Sequence, residues 1–251
     1  MTISSPIVYI IFNRPRHTRE TFAVIEKLQP TSLLIIADGP RPGHPTDVQR
    51  CHEVREIVEL INWPCEVHRN YADENLGCRH RVTTGLDWAF SIVDRAIILE
   101  DDCLPHSDFF VFCANLLEKY QHDERVFVVT GNNFQRGRKR GSASYYFSKY
   151  NHVWGWATWR RAWLKNSKQL SFWPEWKKSE EWKKHTPDRI ERTYWNDIFD
   201  RMYRNEIDTW DYTWMASVWF HNGLTATPNV NLVTNIGFGP EATHTVSRDD
   251  Q

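Results

Sequence analysis

The sequence contains no long hydrophobic run. The longest apolar stretch near the N-terminus, residues 7–12, is far shorter than the about 20 residues that a membrane-spanning helix needs. A secretory signal peptide would also need a basic segment ahead of its apolar run, and none is present. The expectation is therefore a soluble protein located in the cytoplasm.

Cysteine is scarce, and its spacing excludes two kinds of small scaffold. The five cysteines are an odd number, stand far apart and form no CxxC pair. Such spacing fits free thiols in a reducing compartment better than a disulfide framework or a zinc knot.

Excess charge and the common nucleotide motifs are also missing. The formal net charge is only −1 at pH 7, so no positive field directs the chain to nucleic acid. After the first predicted strand the sequence reads NRPR at residues 13–16, without the glycines of a dinucleotide fold. A Walker loop is absent as well, which argues against an ATPase.

The first half of the chain alternates short apolar runs with helical patterns. Strands are predicted at residues 6–12, 32–38, 65–70, 95–100 and 125–131, and helices at 17–28, from about 47, at 78–93 and at 107–120. This rhythm is typical of right-handed βαβ units. The predicted fold class is α/β, with a mixed, mainly parallel sheet covered by helices on both faces.

A basic, glycine- and serine-containing stretch, residues 135–144, interrupts this pattern. It is interpreted as a mobile solvated loop in preference to a lid that grips phosphate. Beyond it, a strand is predicted at 144–150 and helices at 174–184 and 188–204. The chain is expected to be one domain, residues 1–251, with halves that end at about 134 and begin at about 145.

Polar residues follow the predicted parallel strands, where each strand ends. They are Asn13 and Arg14, Asp38 and Gly39, residues 70–75, and Glu100 to Asp102. In an open parallel sheet, ligands bind outside the carboxyl ends of the strands. Groups able to hydrogen-bond a nucleotide are therefore expected along one rim.

Three consecutive acids, Glu100, Asp101 and Asp102, stand directly after a buried strand. A solvated turn would explain them, and so would a site for a cation or a polyhydroxyl ligand. Magnesium and manganese take oxygen ligands and often share few protein carboxylates with substrate phosphates. The cluster therefore favours a metal shared with a diphosphate.

The ordered segments VYIIFNRP, IIADGP, NLG and ILEDD resemble the nucleotide-sugar glycosyltransferases of the GT-A (Rossmann-like) fold, family 2 among them. They are most similar to the animal N-acetylglucosaminyltransferases that initiate complex N-glycans. The later segments GWATWRRAW, WDYTW and FGPEATH extend the likeness over nearly the whole chain. The two halves would then bind donor and acceptor respectively.

The resemblance implies roles for the acids and for the residues around them. Arg14 and Asp38, in a donor site that also contains Asn13 and Gly39, would hold the uracil and ribose of a UDP-sugar. Glu100 and Asp101 would face ribose and donor-sugar hydroxyls. Asp102 would ligate Mn²⁺ or Mg²⁺.

Three residues far from this cluster complete the implied site. Asp211, in WDYTW, would be the catalytic base, although the family segment WDDW has one more acid and one residue fewer. From the residues alone, Asp211 is equally an acid that stabilises a helix N-terminus. Arg79, after the NLG turn, would contact the donor, and His244 would join the metal ligands.

The implied activity is an inverting, metal-dependent transfer of a hexosyl or N-acetylhexosaminyl group to a hydroxyl of a glycan, glycolipid or protein. A retaining reaction remains open. Two other functions compete with it. A sugar nucleotidyltransferase would be expected to carry a glycine-rich loop after the first strand. A non-catalytic carbohydrate-binding protein would use the tryptophans for stacking.

Tryptophan is abundant, with thirteen residues, and four of them (Trp163, Trp173, Trp176 and Trp182) are interleaved with lysine and arginine between residues 160 and 184. The lysine pairs favour at least one exposed face for the later tryptophans. That surface is interpreted first as an acceptor groove. Peripheral contact with the inner membrane face is the alternative.

Overall fold

The structure is a computed structural model and describes residues 3–238. Its strands are β1 (Ile7–Ile11), β2 (Ser32–Ala37), β3 (Glu66–Tyr71), β4 (Arg95–Glu100), β5 (Cys103–Pro105), β6 (Val126–Thr130), β7 (Tyr145–Ser148), β8 (Trp156–Trp159), β9 (Leu224–Pro228) and β10 (Val233–Asn235). Its helices are α1 (Pro15–Leu28), α2 (Pro45–Glu59), α3 (Cys78–Ile92), α4 (Ser107–Lys119), α5 (Arg160–Trp163), α6 (Trp173–Trp176), α7 (Glu180–His185), α8 (Arg189–Tyr203) and α9 (Asp211–Phe220). Within this range, no helix combines the length and the apolar character needed to cross a bilayer.

The main sheet has eight strands in the order β3-β2-β1-β4-β8-β6-β9-β7. β1 pairs in parallel with β2 on one side and β4 on the other, and β2 pairs in parallel with β3. β8 is antiparallel to its neighbours β4 and β6, whereas β9 runs parallel to β6. β7 lies antiparallel to β9 at the edge, and β5 pairs with β10 in a separate small sheet.

Both faces of the sheet are buried, which explains the continuous apolar runs of its central strands. In β1, Val8 and Ile10 pack into one core with residues of α3, α8 and α9. Ile7, Tyr9 and Ile11 pack into the opposite core with residues of α1, α2 and α4. The predicted class, a mixed and mainly parallel sheet with helices on both faces, is confirmed.

The elements predicted for the first half are confirmed to within about two residues. The sequence analysis missed β5, β8, β9 and β10, which are short and pair with partners distant in the chain. It also joined α6 and α7 into one helix. The two are separate because Ser179 starts α7 as its N-cap, accepting a hydrogen bond from the Trp182 amide at 3.1 Å.

The later tryptophans are buried, so the expectation that they expose a face is wrong. Trp163 is 2%, Trp173 1%, Trp176 7% and Trp182 0% exposed. Three of their indole N–H groups donate inside the protein: Trp163 to Asp87 at 2.9 Å, Trp173 to Asp200 at 2.8 Å and Trp182 to an amide oxygen at 2.9 Å. The lysines extend from the same segment toward acids. No indole in residues 160–184 is exposed for contact with a membrane. Membrane contact through this segment stays a prediction.

Candidate functional site

The sheet reverses its winding between β1 and β4. From β1 the chain proceeds outward to β2 and then β3, whereas β4 lies on the other side of β1. Ligand crevices form at such a switch point, outside the carboxyl ends of the two strands. Phe12 to Arg14 follow β1 there, and Glu100 to Asp102 follow β4.

Arg14 joins the two strand ends. Its guanidinium donates to Asp101 Oδ1 at 2.6 Å and to Asp102 Oδ2 at 2.9 Å. Asp101 is only 2% exposed, and its second oxygen accepts from the Phe12 amide at 3.3 Å. Burial raises the pKa of Asp101, and the positive charge of Arg14 opposes that rise. Asp101 therefore mainly anchors Arg14.

Glu100, the last residue of β4, is an acid whose pKa is raised by its surroundings. Burial raises its pKa to about 8, the charges of Asp102, Asp101 and Asp211 add to the rise, and Arg14 opposes it. At neutral pH the carboxyl group therefore carries its proton for most of the time. The charge of Asp211 contributes to this rise, so the tertiary structure brings the start of α9 near the end of β4.

Aromatic packing places Asp211. It is the first residue of α9 and follows Trp210, which is 3% exposed. The Trp210 ring stacks on Trp156 of β8 with centroids 5.6 Å apart, and β8 is the neighbour of β4. The Thr209 hydroxyl donates to Asp211 Oδ1. The start of α9 is thus fixed beside the acids at the end of β4.

Asp38 fixes a loop along the same rim. Its Oδ1 accepts from the amides of Gly39 and Leu76, both at 2.9 Å, and its Oδ2 accepts from the Asn75 side chain at 3.0 Å. Burial raises the pKa of Asp38, and these donors oppose the rise. A Cβ at Gly39 would lie 2.4 Å from the backbone carbon of Glu74, so only glycine allows the loop to approach.

Asn13 belongs to a second network beside the crevice. Its Nδ2 donates to Asp47 Oδ1 at 2.8 Å, and Arg41 Nε donates to Asp47 Oδ2 at 2.6 Å. The hydrogen bond from Arg41 lowers the pKa of Asp47 to about 2. The Arg41 guanidinium also lies 5.5 Å from the centre of the Phe12 ring. Sequence reasoning missed Arg41, whose only local signal is the turn sequence GPRPG.

Sequence reasoning also missed Cys78, whereas Asp208 is a reserve candidate for the base, with Glu206 and with Glu241, which lies outside the described residues, if Asp211 is not the base. Burial raises the pKa of the Cys78 thiol, followed by the charges of Glu100, Asp211 and Asp208. The neutral thiol is therefore a poor nucleophile. Gly77 has φ +77°, and a Cβ there would lie 3.4 Å from Asp208 Oδ2, so the segment before α9 contacts the start of α3.

Arg79 lies in a different setting from the other predicted site residues. Its guanidinium donates to Asn205 Oδ1 at 2.8 Å and to the Lys168 carbonyl at 2.7 Å, which links α3 to the second half of the chain. His244 lies outside the described residues. The residues that the structure brings together at the switch point are Arg14, Glu100, Asp101, Asp102 and Asp211, with Asn13, Asp38 and Gly39 along the same rim.

The acids fit a divalent cation that takes most of its ligands from a substrate. Even with Glu100 protonated, the charges of Asp101, Asp102 and Asp211 exceed the single positive charge of Arg14, and carboxylate oxygen suits Mg²⁺ or Mn²⁺. Asp102 is 16% exposed; its Oδ2 contacts Arg14 and its Oδ1 accepts from Cys103 Sγ at 3.4 Å. Over residues 3–238, no set of three or more His, Cys, Asp or Glu side chains forms a ready metal cage.

No protein-family model and no curated protein matches the chain. Among solved structures, it is similar to the mannosyltransferase PcManGT from Pyrobaculum calidifontis in complex with GDP-Man and Mn²⁺ (21% identity, TM-score 0.38). That match covers 61% of this chain and 44% of the mannosyltransferase, so the chain spans less than half of that protein.

Two further solved structures show similarity. Mouse xyloside xylosyltransferase 1 has 8% identity and a TM-score of 0.42, with 88% of this chain and 84% of that chain covered. The 4-diphosphocytidyl-2C-methyl-D-erythritol synthase from Anaerococcus prevotii has 10% identity and a TM-score of 0.36, with 70% and 78% covered. At these values none of the three similarities assigns a function.

Proposed function

We propose that the protein is a GT-A-type glycosyltransferase that moves a sugar from a UDP-sugar to a hydroxyl acceptor. The observation that supports this most is the convergence of Glu100, Asp102 and Asp211 with Arg14 at the switch point of the sheet. Carboxyl groups hydrogen-bond sugar hydroxyls, and surplus negative charge suits a cation that accompanies a diphosphate. One group of side chains would therefore supply both hydrogen bonds to the donor sugar and a cation site for its diphosphate.

On this proposal the donor lies across the rim of β1, β2 and β4. Arg14 and Asn13 follow β1, and Asp38 with Gly39 shapes the loop that would flank the nucleoside. Arg41 adds a positive charge beside the same strand end. The donor half then extends to about residue 134 and the acceptor half from about 145.

Asp102, with His244 proposed as its companion, would hold Mn²⁺ or Mg²⁺. Such an ion neutralises negative charge on a departing diphosphate. Arg14 contacts Asp102 directly, so it also supplies a fixed positive charge at this end of the crevice.

In the transfer itself, Asp211 is the general base. Its carboxylate accepts the proton of the acceptor hydroxyl as that oxygen forms a bond to the anomeric carbon. The bond between that carbon and the diphosphate oxygen breaks, and its electron pair leaves with the UDP. Attack from the face opposite the diphosphate inverts the anomeric centre. Protonated Glu100 is able to donate a hydrogen bond to a donor-sugar oxygen.

The test is binding and turnover with UDP-glucose, UDP-N-acetylglucosamine and GDP-mannose, each with and without Mn²⁺. With Mn²⁺ present, a UDP-sugar at 100 times its Kd should raise the free energy of unfolding by about 2.7 kcal/mol. The same concentration without Mn²⁺ should raise it less. UDP should be released in the presence of an acceptor. Pyrophosphate release from UTP and a sugar phosphate would instead identify a nucleotidyltransferase. Binding of free saccharides without any nucleotide would identify a carbohydrate-binding protein.

A further inference from the structure

Asp102 is in contact with the chain segment that follows β10. The Ile236 amide donates to the Asp102 carbonyl at 2.8 Å. A Cβ at Gly237 would lie 2.4 Å from Asp102 Oδ2, so glycine is needed for the segment to pass this carboxylate. Phe238 comes next, and its ring packs edge-on against Trp154 with centroids 5.7 Å apart. An aromatic side chain, that of Phe238, therefore directly follows the glycine that passes Asp102.

The aromatic surface continues away from Asp102. The Trp154 ring packs against Phe134 with centroids 5.3 Å apart, and Phe134 packs against His152 at 4.6 Å. Phe134 is 37% exposed, and burial lowers the pKa of His152 to about 4, so its ring is neutral. We call Phe134, His152, Trp154 and Phe238 the aromatic shelf. Phe134 is the exposed ring of the shelf, and the other three rings are partly exposed beside it. The apolar face of a sugar ring is able to pack on such partly exposed aromatic surface.

A strongly basic loop, residues 135–140, begins where the shelf ends. It carries Arg136, Arg138, Lys139 and Arg140, and residues 135–144 contain no acid. It follows β6, which points the same way as β4, so it leaves the sheet at the rim that carries the acid cluster. The four basic side chains are exposed, and none pairs with a carboxylate anywhere in residues 3–238.

The backbone of the basic loop is tied to the protein at both ends. The Gln135 amide donates to Asn133 Oδ1 at 2.7 Å, and the Asn133 side chain donates to the Pro228 carbonyl at 2.6 Å. The Arg140 amide donates to Asn229 Oδ1 at 2.8 Å. Asn229 is 6% exposed, so this anchor is part of the folded body. The loop therefore presents its positive charges from a defined position.

We propose that the acceptor is an anionic saccharide, a sugar chain that carries phosphate or carboxylate groups. Its ring lies on the aromatic shelf and its anionic group is held by the basic loop. Charge sets its direction, because the surplus acids around Asp102 repel an anion while the loop at the far end of the shelf attracts it. The proposal rests on the proposed glycosyltransferase function, whose acceptor class it specifies.

The test uses dextran sulfate oligosaccharides as anionic probes and uncharged dextran of equal length, titrated into the full chain by calorimetry. The sulfated probe should bind more tightly, and added salt should weaken it. The triple variant Arg136→Gln, Arg138→Gln, Lys139→Gln should lose about tenfold in that affinity. A matched control, Arg19→Gln, Lys27→Gln, Arg189→Gln, removes three exposed charges elsewhere and should bind as the parent does.

Equal affinity for both probes, or an unchanged affinity in the loop variant, would overturn the proposal. Vesicles of anionic lipid form the third arm. Binding to them that exceeds oligosaccharide binding and disappears in the loop variant would identify a membrane surface instead. UDP-sugar binding is measured in parallel on the same variants. If the parent protein binds no UDP-sugar, the proposed function is rejected. If UDP-sugar binds and only the saccharide measurements fail, the acceptor class alone is rejected.

Discussion

At the scale of single residues, the main property of the crevice is that its acids outnumber the positive charges in contact with them. Arg14 contacts both Asp101 and Asp102, but its positive charge mainly balances the charge of the buried Asp101. Asp102 is the more accessible of the two, so a cation brought in with a substrate would meet it first. Glu100 avoids the repulsion by keeping its proton.

Asp102→Asn should preserve the fold, because asparagine retains the oxygen that faces Arg14 and the site lies outside the core. It should remove the gain in UDP affinity that Mn²⁺ provides, by at least about tenfold. Calorimetry with and without Mn²⁺ measures this gain. Asp108→Asn, at an acid whose side chain is 75% exposed, is the matched control. A metal-dependent gain that survives in Asp102→Asn would place the ion elsewhere.

Asp211→Asn should bind donor normally and lose about 10²–10⁴-fold in the rate of transfer, the usual contribution of a general base. Asparagine preserves the hydrogen bond from Thr209 but accepts no proton. Single-turnover assays separate the chemical step from binding. Asp197→Asn, on the exposed side of α8, serves as control. A rate within a few-fold of the parent would show that Asp211 is only an acid in the first turn of α9.

At the scale of elements, the second half is held together by indole rings rather than by aliphatic side chains. Trp182 of α7 has its ring centre 5.2 Å from that of Trp173 and 4.8 Å from that of Trp176. The short helices α6 and α7 are too brief to be stable alone, so this packing holds them in place.

Trp182→Ala should therefore destabilise the protein by about 3–5 kcal/mol, the usual cost of emptying a buried aromatic site. Urea denaturation followed by far-UV circular dichroism measures the change. Ile190→Ala, at a residue that is 82% exposed, should cost less than about 0.5 kcal/mol. Similar values for both variants would contradict the packing described for α7.

His185, at the end of α7, should make stability depend on pH. Burial lowers its pKa to about 4, the positive charge of Lys149 lowers it further, and Glu191 opposes both. The unfolded chain then takes up the proton first, since its histidine has a pKa near 6.5, so stability falls as pH drops from about 6.5 to about 4. Partial exposure limits the loss to about 1–2 kcal/mol.

His185→Phe keeps the ring contacts and removes the titration, so its free energy of unfolding should change less over that pH range. Denaturant titrations between pH 7.5 and 4 show the difference. His52→Phe, at an exposed histidine, should leave the pH dependence of the parent unchanged. If His185→Phe retains the full parental slope, the acid sensitivity comes from other groups such as His152.

At the scale of the whole molecule, the two halves of the chain share one sheet. β8 comes from the second half, yet it lies between β4 and β6. Arg79 adds a polar link, from α3 to Asn205 and to the Lys168 carbonyl.

Arg79→Ala and Asn205→Ala distinguish a link between the halves from a donor contact. If the guanidinium serves as a link, each variant should lose about 0.5–1.5 kcal/mol of stability, and both should keep the parental affinity for UDP. Thermal unfolding and calorimetry give the two quantities. A loss of UDP affinity in Arg79→Ala alone would support the donor contact that the family resemblance implies.

The pattern of apolar residues along the chain predicted the strands that are buried on both faces of the sheet. The strands Ile7–Ile11, Ser32–Ala37 and Arg95–Glu100 are largely apolar runs between helices, so their pattern predicted them and the rim at their ends. β8, with sequence WATW, was missed because a short strand among tryptophans carries no distinctive period. The exposure of the later tryptophans was also predicted wrongly, since the neighbouring lysines reach acids while the indoles turn inward.

The sequence by itself determined the α/β class, the order of the first elements and the position of the acids after β4. Only the tertiary structure decided that Asp211 lies beside Glu100, that Arg14 binds Asp101 and Asp102, and that the basic loop leaves the sheet at the same rim. The physical reason is that hydrophobic periodicity records which face of an element is buried. It does not record which distant element covers that face, and the charges of a site are assembled by those distant contacts.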